Sequence, residues 1–503
     1  MELLDGLRIG VEAAFVPSVL FYCLIGVTLG TLIGVLPGVG SMAAISLLLP
    51  ITYYLDPTPA IVMLAGVYYG AQYGNSIASI LLNLPGTASS AVTCLDGYPM
   101  ARQGRAGVAL FMTTIASFVG AMLGLVALTL FAPSIAELGF RFGPYEYFAM
   151  MLLGLVAAST LASASAAKGL AMVTLGLIFG LVGTDVQTGV LRFHFGYPEL
   201  MDGISLPALA MGVFGVAEVI RSINRGRQAH EGQRVRLRSM LPTRTDLKQS
   251  RGAMLRGSAV GGFFGALPGT GAGIASFMAY AVEKRVSRTP ERFGNGAIEG
   301  ITAPESANNA AVQTAFVPTL SLGIPGDAVM ALMLGALMIH GIQPGPSLIT
   351  QQPEMFWGLV VSFLIGNLML LVLNIPMIGV WVWILSIPYR VLYPAILVFI
   401  AVGVYSVGNN TFDVLVVAAV GIFGYLLVVL RFEPAPFLLG FVLGPLMEEN
   451  LRRGLQLARG DITVFLSRPI SGTLLAICGL LLLWALLRVG LRRMPAGGKK
   501  SAG

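Results

Sequence analysis

The sequence predicts an all-α polytopic membrane protein, with two inverted-topology repeats, re-entrant or broken helices at Pro-Gly motifs, and roughly 11–12 membrane segments. Three observations carry this. Of 503 residues, 56% are hydrophobic and 11% charged, against roughly 25% charged in a soluble domain. Mean hydropathy is +0.81. Glycine occurs 63 times, close to double its usual ~7%, which suits close helix packing and interrupted helices. This composition excludes a soluble enzyme, a disordered chain and a nucleic-acid module.

Apolar stretches run over 15–36, 41–55, 58–82, 107–132, 145–162, 168–184 and 204–220. They resume over 257–282, 310–324, 328–340, 356–386, 391–407, 412–430, 435–447 and 470–490. Several are shorter than the about 20 helical residues that cross a bilayer. Short pieces of this kind read as re-entrant hairpins or interrupted helices buried in the bundle. Between the two groups, Arg221–Arg256 holds ten Lys and Arg against Glu231 and Asp246. That segment alone accounts for the net charge of +7 and reads as a cytoplasmic loop under the positive-inside bias. The expected organisation is a first membrane repeat over 1–220, a basic cytoplasmic loop over 221–256, a second repeat with additional helices over 257–490, and a basic cytoplasmic tail over 491–503. Met1–Asp5 carries no basic n-region, so insertion is expected to rely on uncleaved spans. Cys23, Cys94 and Cys478 form no disulfide framework, and the three histidines have no zinc spacing. No cofactor is expected.

Internal duplication is the most informative pattern. Gly26, Gly30, Gly34, Leu36, Pro37, Gly38 and Gly40 match Gly257, Gly261, Gly265, Leu267, Pro268, Gly269 and Gly271 at a constant offset of 231. In each copy a smooth glycine face ends in a Pro-Gly-x-Gly break. A second break follows each first one, at Asn83-Leu84-Pro85-Gly86-Thr87 and at Gly323-Ile324-Pro325-Gly326-Asp327. Arg256 precedes the second copy's first break and Lys284, Arg285, Arg288 and Arg292 follow it, whereas Glu2, Asp5, Glu12 and Asp56 flank the first copy. Opposite charge bias in paired elements is what inverted repeats produce.

A helix that starts just after Pro-Gly leaves backbone N–H groups and the positive dipole end facing the break. Inside a bilayer these ends need a partner, and a carboxylate suits them. The substrate-binding candidates are therefore Pro37, Gly38, Gly40, Ser41, Pro85, Gly86, Thr87, Pro268, Gly269, Thr270, Gly271, Pro325 and Gly326, with Ser89 and Ser90 as further hydroxyl donors. Oxygen-bearing side chains nearby are candidates for a coupling cation: Asn75, Ser76, Asn83, Glu305, Ser306, Asn308, Asn309 and Asp327. The bland alternatives are an N-cap for Asp327, a solvated loop acid for Glu305, interhelical polar contacts for Asn308 and Asn309, and simple glycine packing for the breaks. Lys168 reads as a snorkelling residue. Asp96-Gly97-Tyr98-Pro99 and His340-Gly341 are expected to end the helices that follow the second breaks.

The runs Gly34–Gly40, Tyr69–Ser76, Leu81–Gly86, Asp96–Pro99, Glu305–Ala311, Leu322–Gly326 and His340–Pro346 make the chain resemble the large permease subunit of the tripartite tricarboxylate transporters, the TctA family, over nearly its full length. The resemblance implies a secondary transporter of the bacterial inner membrane. It implies di- or tricarboxylate substrates such as citrate, and uptake driven by Na⁺ or H⁺. It also implies two partners, a small membrane subunit and a periplasmic solute-binding protein. The alternatives are a stand-alone ion-coupled transporter, a channel, or an intramembrane enzyme. Against the enzyme, Gly323–Asp327 lacks the Tyr-Asp partner of intramembrane aspartyl proteases, no Gly-x-Ser-Gly occurs, and no Walker A motif is present.

Overall fold

A computed structural model of the chain describes residues 3–36, 40–161, 165–185, 187–223, 237–385 and 389–493. The first half runs through α1 (Leu3–Ala14), α2 (Pro17–Val35), α3 (Ser41–Thr52), α4 (Pro57–Leu82), α5 (Ala88–Met100), α6 (Ala106–Gly139), α7 (Pro144–Leu161) and α8 (Ala166–Gly180). A two-residue hairpin, β1 (Gly183–Thr184) with β2 (Leu191–Arg192), precedes α9 (Leu206–Ala210) and α10 (Ala217–Ile223). The second half holds α11 (Arg244–Gly265), α12 (Gly271–Val286), α13 (Glu299–Thr314), α14 (Phe316–Leu322), α15 (Ala328–Ile339), α16 (Leu348–Gln351) and α17 (Pro353–Asn374). It closes with α18 (Ile378–Ile384), α19 (Tyr389–Gly408), α20 (Thr411–Val429), α21 (Ala435–Leu457), α22 (Val464–Ser467) and α23 (Pro469–Arg493). The protein is an all-α polytopic membrane protein. Among the described residues, Pro17–Val35, Ala88–Gly139, Pro353–Asn374 and Thr411–Val429 are long and apolar enough to cross a bilayer.

Glycine faces set the packing. On α2, a Cβ at Gly26, Gly30 or Gly34 would run into the Met63, Val67 and Ala71 carbonyls of α4. On α11, a Cβ at Gly257, Gly261 or Gly265 would meet Ala303, Ala307 and Ala311 of α13. Backbones therefore touch along both pairs, which run parallel. With further helices packed around these pairs, α4 is buried from Pro59 to Ile80 and α13 from Glu299 to Thr314 without interruption. Helices buried all round are normally apolar; these two carry Gln72, Asn75, Ser76, Ser79, Glu305, Asn308, Asn309 and Gln313.

α6 has 34 residues, about 50 Å at 1.5 Å per residue, so its ends mark the two faces of the bundle. At one face Arg105 pairs with Asp246 at 2.6 Å, and Gln103 donates to the Asn295 carbonyl at 2.9 Å. At the other, Gly139 abuts Leu322 and Pro346, and further along the chain Gly358 abuts Ala13 and Thr58. The α11–α13 pair thus starts at the first face and the α2–α4 pair at the second.

Element boundaries depart from the apolar runs at several places. α11 begins at Arg244, inside the basic segment, because Thr243 and Asp246 form a reciprocal capping box. α13 begins at Glu299 although its first half is polar, because neighbouring helices enclose it. Asp96–Pro99 does not stop α5; the chain stays helical to Met100 and turns at Gly104, φ +79°. α15 ends at His340, as expected. Lys168 donates to the Leu430 and Arg431 carbonyls at 2.6 and 3.3 Å, capping the end of α20.

Candidate functional site

The second breaks of the two halves share one backbone path. Asn83 (φ 57°, ψ 32°) ends α4 and Gly323 (φ 69°, ψ 26°) ends α14, both left-handed. Thr87 (φ −136°, ψ 167°) caps α5 and Asp327 (φ −155°, ψ −177°) caps α15, both extended. These positions stand 240 residues apart, as do the helix partners Met63 and Ala303, Val67 and Ala307, and Ala71 and Ala311. Gly86 lies against the Asn75 side chain, and Gly326 lies against Ala315, again 240 apart.

First breaks sit beside second breaks. A Cβ at Gly40 would be 3.3 Å from the Gly86 carbonyl and 3.3 Å from Thr87 Cγ2. One at Gly271 would be 3.3 Å from Asp327 Cβ and 3.6 Å from its Oδ2. The two halves meet as well, since a Cβ at Gly273 would be 3.8 Å from the Ser89 nitrogen. Ser41 is buried at the start of α3. Pro37 and Gly38 lie outside the described residues.

Around α5 the side chains form a connected neutral network. Thr87 Oγ1 and Ser89 Oγ are 2.9 Å apart, Ser89 donates to Gln72 Oε1 at 3.2 Å, and Asn308 Nδ2 donates to the same oxygen at 3.2 Å. Asn75 Nδ2 reaches Thr87 Oγ1 at 3.5 Å, and Ser90 completes the capping box. The amide oxygens of Asn75, Asn308 and Asn309 are buried without a hydrogen-bond partner, as are both polar atoms of Gln313. Buried polar atoms are nearly always paired, so this run of unpartnered atoms on α4 and α13 leaves donors and acceptors for a ligand, an ion or water.

Glu305 lies one turn before Asn308 and Asn309. It is 1% exposed and accepts from Thr93 Oγ1 at 2.5 Å and Ser117 Oγ at 3.3 Å. Burial rules out the solvated loop acid. Asp327 does serve as an N-cap, accepting from the Met330 N–H at 2.9 Å, while its second oxygen accepts from Tyr68 OH at 2.7 Å.

Other candidates fall outside this cluster. The Gly269 N–H donates to the Gly326 carbonyl at 2.8 Å, and Gly269 (φ +82°) packs against Gly154, Ala157 and Ala158 of α7. Pro268 faces Gly154. Thr270 Oγ1 turns back to the Phe264 and Leu267 carbonyls. Ser306 faces α6 and α11, its hydroxyl donating to Ala303. Asn83 and Pro85 are exposed, and Pro325 and Gly326 are buried. Ser76 stays with the cluster: it is 3.4 Å from the Gln72 carbonyl and its hydroxyl also faces the Glu305 carboxylate.

Sequence reasoning missed Gln72, which joins Ser89 to Asn308, Tyr68, which holds Asp327, and Thr93 and Ser117, which hold Glu305. Aligning α4 with α13 at the 240 offset would have drawn Tyr68 in, opposite Asn308. It also missed the role of Asp96. That buried carboxylate accepts from the Gly294, Gly296 and Ala297 N–H groups at 2.9, 2.8 and 2.8 Å and from Tyr280 OH at 3.0 Å.

A cavity of about 500 Å³ opens near the face opposite the basic segment, with Leu322, Gly323, Gln343, Asn450 and Arg453 in its wall. The profile of the tripartite tricarboxylate transporter TctA family matches residues 20–439. The chain belongs to this family. Within its wider sequence neighbourhood, this TctA-family chain is 49% identical over 477 residues to the "Uncharacterized 52.8 kDa protein in TAR-I ttuC' 3'region" of Agrobacterium vitis, covering 95% of each chain. It is 55% identical over 227 residues to the "Uncharacterized protein in TAR-II ttuC' 3'region" of the same organism, covering 45% of this chain and 94% of that one. No solved structure matches it.

Proposed function

We propose that this TctA-family subunit carries out cation-coupled secondary uptake of di- or tricarboxylates across the bacterial inner membrane. Substrate arrives from a periplasmic solute-binding protein, and a small membrane subunit completes the transporter. The observation that carries the reading is the meeting of helix N-termini α3 and α5 with a buried, uncharged network of amides and hydroxyls. Preorganised N–H groups and hydroxyls bind an organic anion without a buried lysine or arginine, whose desolvation is costly.

The coupling cation, Na⁺ or H⁺, is assigned to the adjacent oxygens. Asn75, Asn308 and Asn309 supply unpartnered amide oxygens, and Glu305 a carboxylate held only by hydroxyls. A cation there offsets the charge of the incoming anion in a medium where unscreened charge is expensive. Asp327 has a donor at each oxygen and is the weaker candidate for this role.

The two halves are read as inverted repeats. Matched glycine faces, breaks of like conformation and the opposed starts of the two helix pairs support this. The end bearing Arg102, Arg105, Lys248, Arg251, Lys284 and Arg285 is then cytoplasmic. The cavity beside Gly323 and Arg453 belongs to the periplasmic face, where substrate is handed over.

The test is labelled citrate uptake into membranes holding this chain and its small partner, with and without the binding protein, and with Na⁺ and pH gradients varied separately. Saturable uptake that needs a cation gradient and the binding protein is expected. Uptake without the binding protein would favour the stand-alone transporter, and non-saturable flux would overturn the reading.

A further inference from the structure

The two second breaks differ in one chemical respect that divides their roles. At α15 the N-cap is Asp327, whose carboxylate lies between the starts of two helices. It accepts from the Met330 N–H of α15 at 2.9 Å, and Gly271, where α12 begins, sits directly against it. The protein thus supplies its own carboxyl group to that pair of positive helix ends. At α5 the matching position is Thr87, likewise against the start of a second helix, α3, at Gly40. There the cap is a hydroxyl and carries no charge.

The surroundings have diverged in the same sense. Asn75 stands where the other half has Ala315, Gln72 where it has Val312, Ser89 where it has Val329, and Ser90 where it has Met330. Asn75 is fully buried, its Oδ1 is unpartnered, and it is aimed at Gly86. Turning that amide presents Nδ2 to a ligand oxygen and Oδ1 to the Thr87 hydroxyl. Access differs too. Pro85 and Ala88 are exposed, whereas residues 323–326 are buried.

We propose that a carboxylate of the transported anion sits between the N-termini of α3 and α5, in the place that the Asp327 carboxylate holds between those of α12 and α15. The inference rests on the carboxylate-uptake reading above and narrows it. One second break recognises substrate, and the other is permanently satisfied by the protein. Substrate recognition is therefore lopsided within a duplicated frame.

Two measurements on the purified full-length chain test this, with citrate, succinate and malate as probes. Thr87→Asp puts an internal carboxylate in the proposed place while keeping a good N-cap. It is expected to weaken binding of whichever probe the wild type binds by about 100-fold or more, because like charges brought together are strongly penalised. Its melting temperature and gel-filtration profile should match the wild type. In an Ala88→Cys variant, the same probe should slow maleimide labelling at position 88; Cys23, Cys94 and Cys478 are buried and give little background. Full binding by a folded Thr87→Asp protein, or labelling at position 88 that the probe does not slow, overturns the placement. If Thr87→Asp fails to fold, the labelling result decides. A wild type that binds none of the three probes overturns the carboxylate reading itself, and the placement with it.

Discussion

Glu305 is a carboxylate enclosed by the hydroxyls of Ser76, Thr93 and Ser117 on neighbouring helices. A hydroxyl can donate to an ionised carboxyl or accept from a protonated one, so this lining is compatible with either form, as the coupling role proposed above requires. Glu305→Gln keeps shape and volume but loses the charge change. It is expected to cut cation-driven uptake at least about tenfold, the scale of losing one tuned ionisable group, while leaving probe binding in the absence of a gradient within a few-fold. Uptake measured against imposed Na⁺ and pH gradients checks this, and unaltered coupling removes Glu305 from the cation set. At the basic face Asp246 sets a different prediction. Burial pushes its carboxyl up, but the Thr243 N–H and Arg105 outweigh this and hold it below the ordinary carboxylate range. A depressed folded-state pKa stabilises above the unfolded value of ~3.9 and is lost as pH falls through the lower folded value. Asp246→Asn should therefore cost about 1 kcal/mol at pH 7, and the gap in melting temperature from wild type should close below about pH 3–4.

At the scale of elements, the glycine faces decide whether the paired helices can touch. Gly30 and Gly261 have carbonyls of the partner helix where a Cβ would go. Gly30→Val or Gly261→Val should destabilise by about 1–3 kcal/mol or more through overpacking, seen as a lower melting temperature in detergent. Wild-type melting in both would mean that the helices can part freely. Gly269 differs in kind. Its positive φ and its contact with α7 make Gly269→Leu a folding defect, so lost uptake in that variant says nothing about anion capture. The breaks themselves were legible because Pro and Gly punctuate an apolar run. The start of α13 was not, because apolar periodicity is silent on a polar helix whose neighbours, rather than its own composition, keep it dry. Asp96 was misread for a related reason. Asp-Gly-Tyr-Pro looks like a terminator in one dimension, and its three N–H partners lie some 200 residues away.

For the whole molecule, opposed helix pairs make a topological prediction. With the basic face cytoplasmic, a cysteine placed at Arg288 should be labelled by an impermeant reagent only from inside, and one at the exposed Tyr54 only from outside. Labelling of both from one side would refute inversion. Membrane class was readable because hydropathy is a local signal, and the helix breaks because Pro and Gly punctuate an apolar run. The links between halves were not, since Tyr68 meeting Asp327 or Thr93 meeting Glu305 depends on how separate helices are brought face to face. The Asp96 knot has a mechanical corollary. It fastens the C-terminal part of α5 to the segment that opens α13, so the two helices are tied at that face. On the uptake reading proposed above, a tilt of α5 that re-aims the anion site carries Glu305 and Asn308 with it, so the substrate and its cation move together.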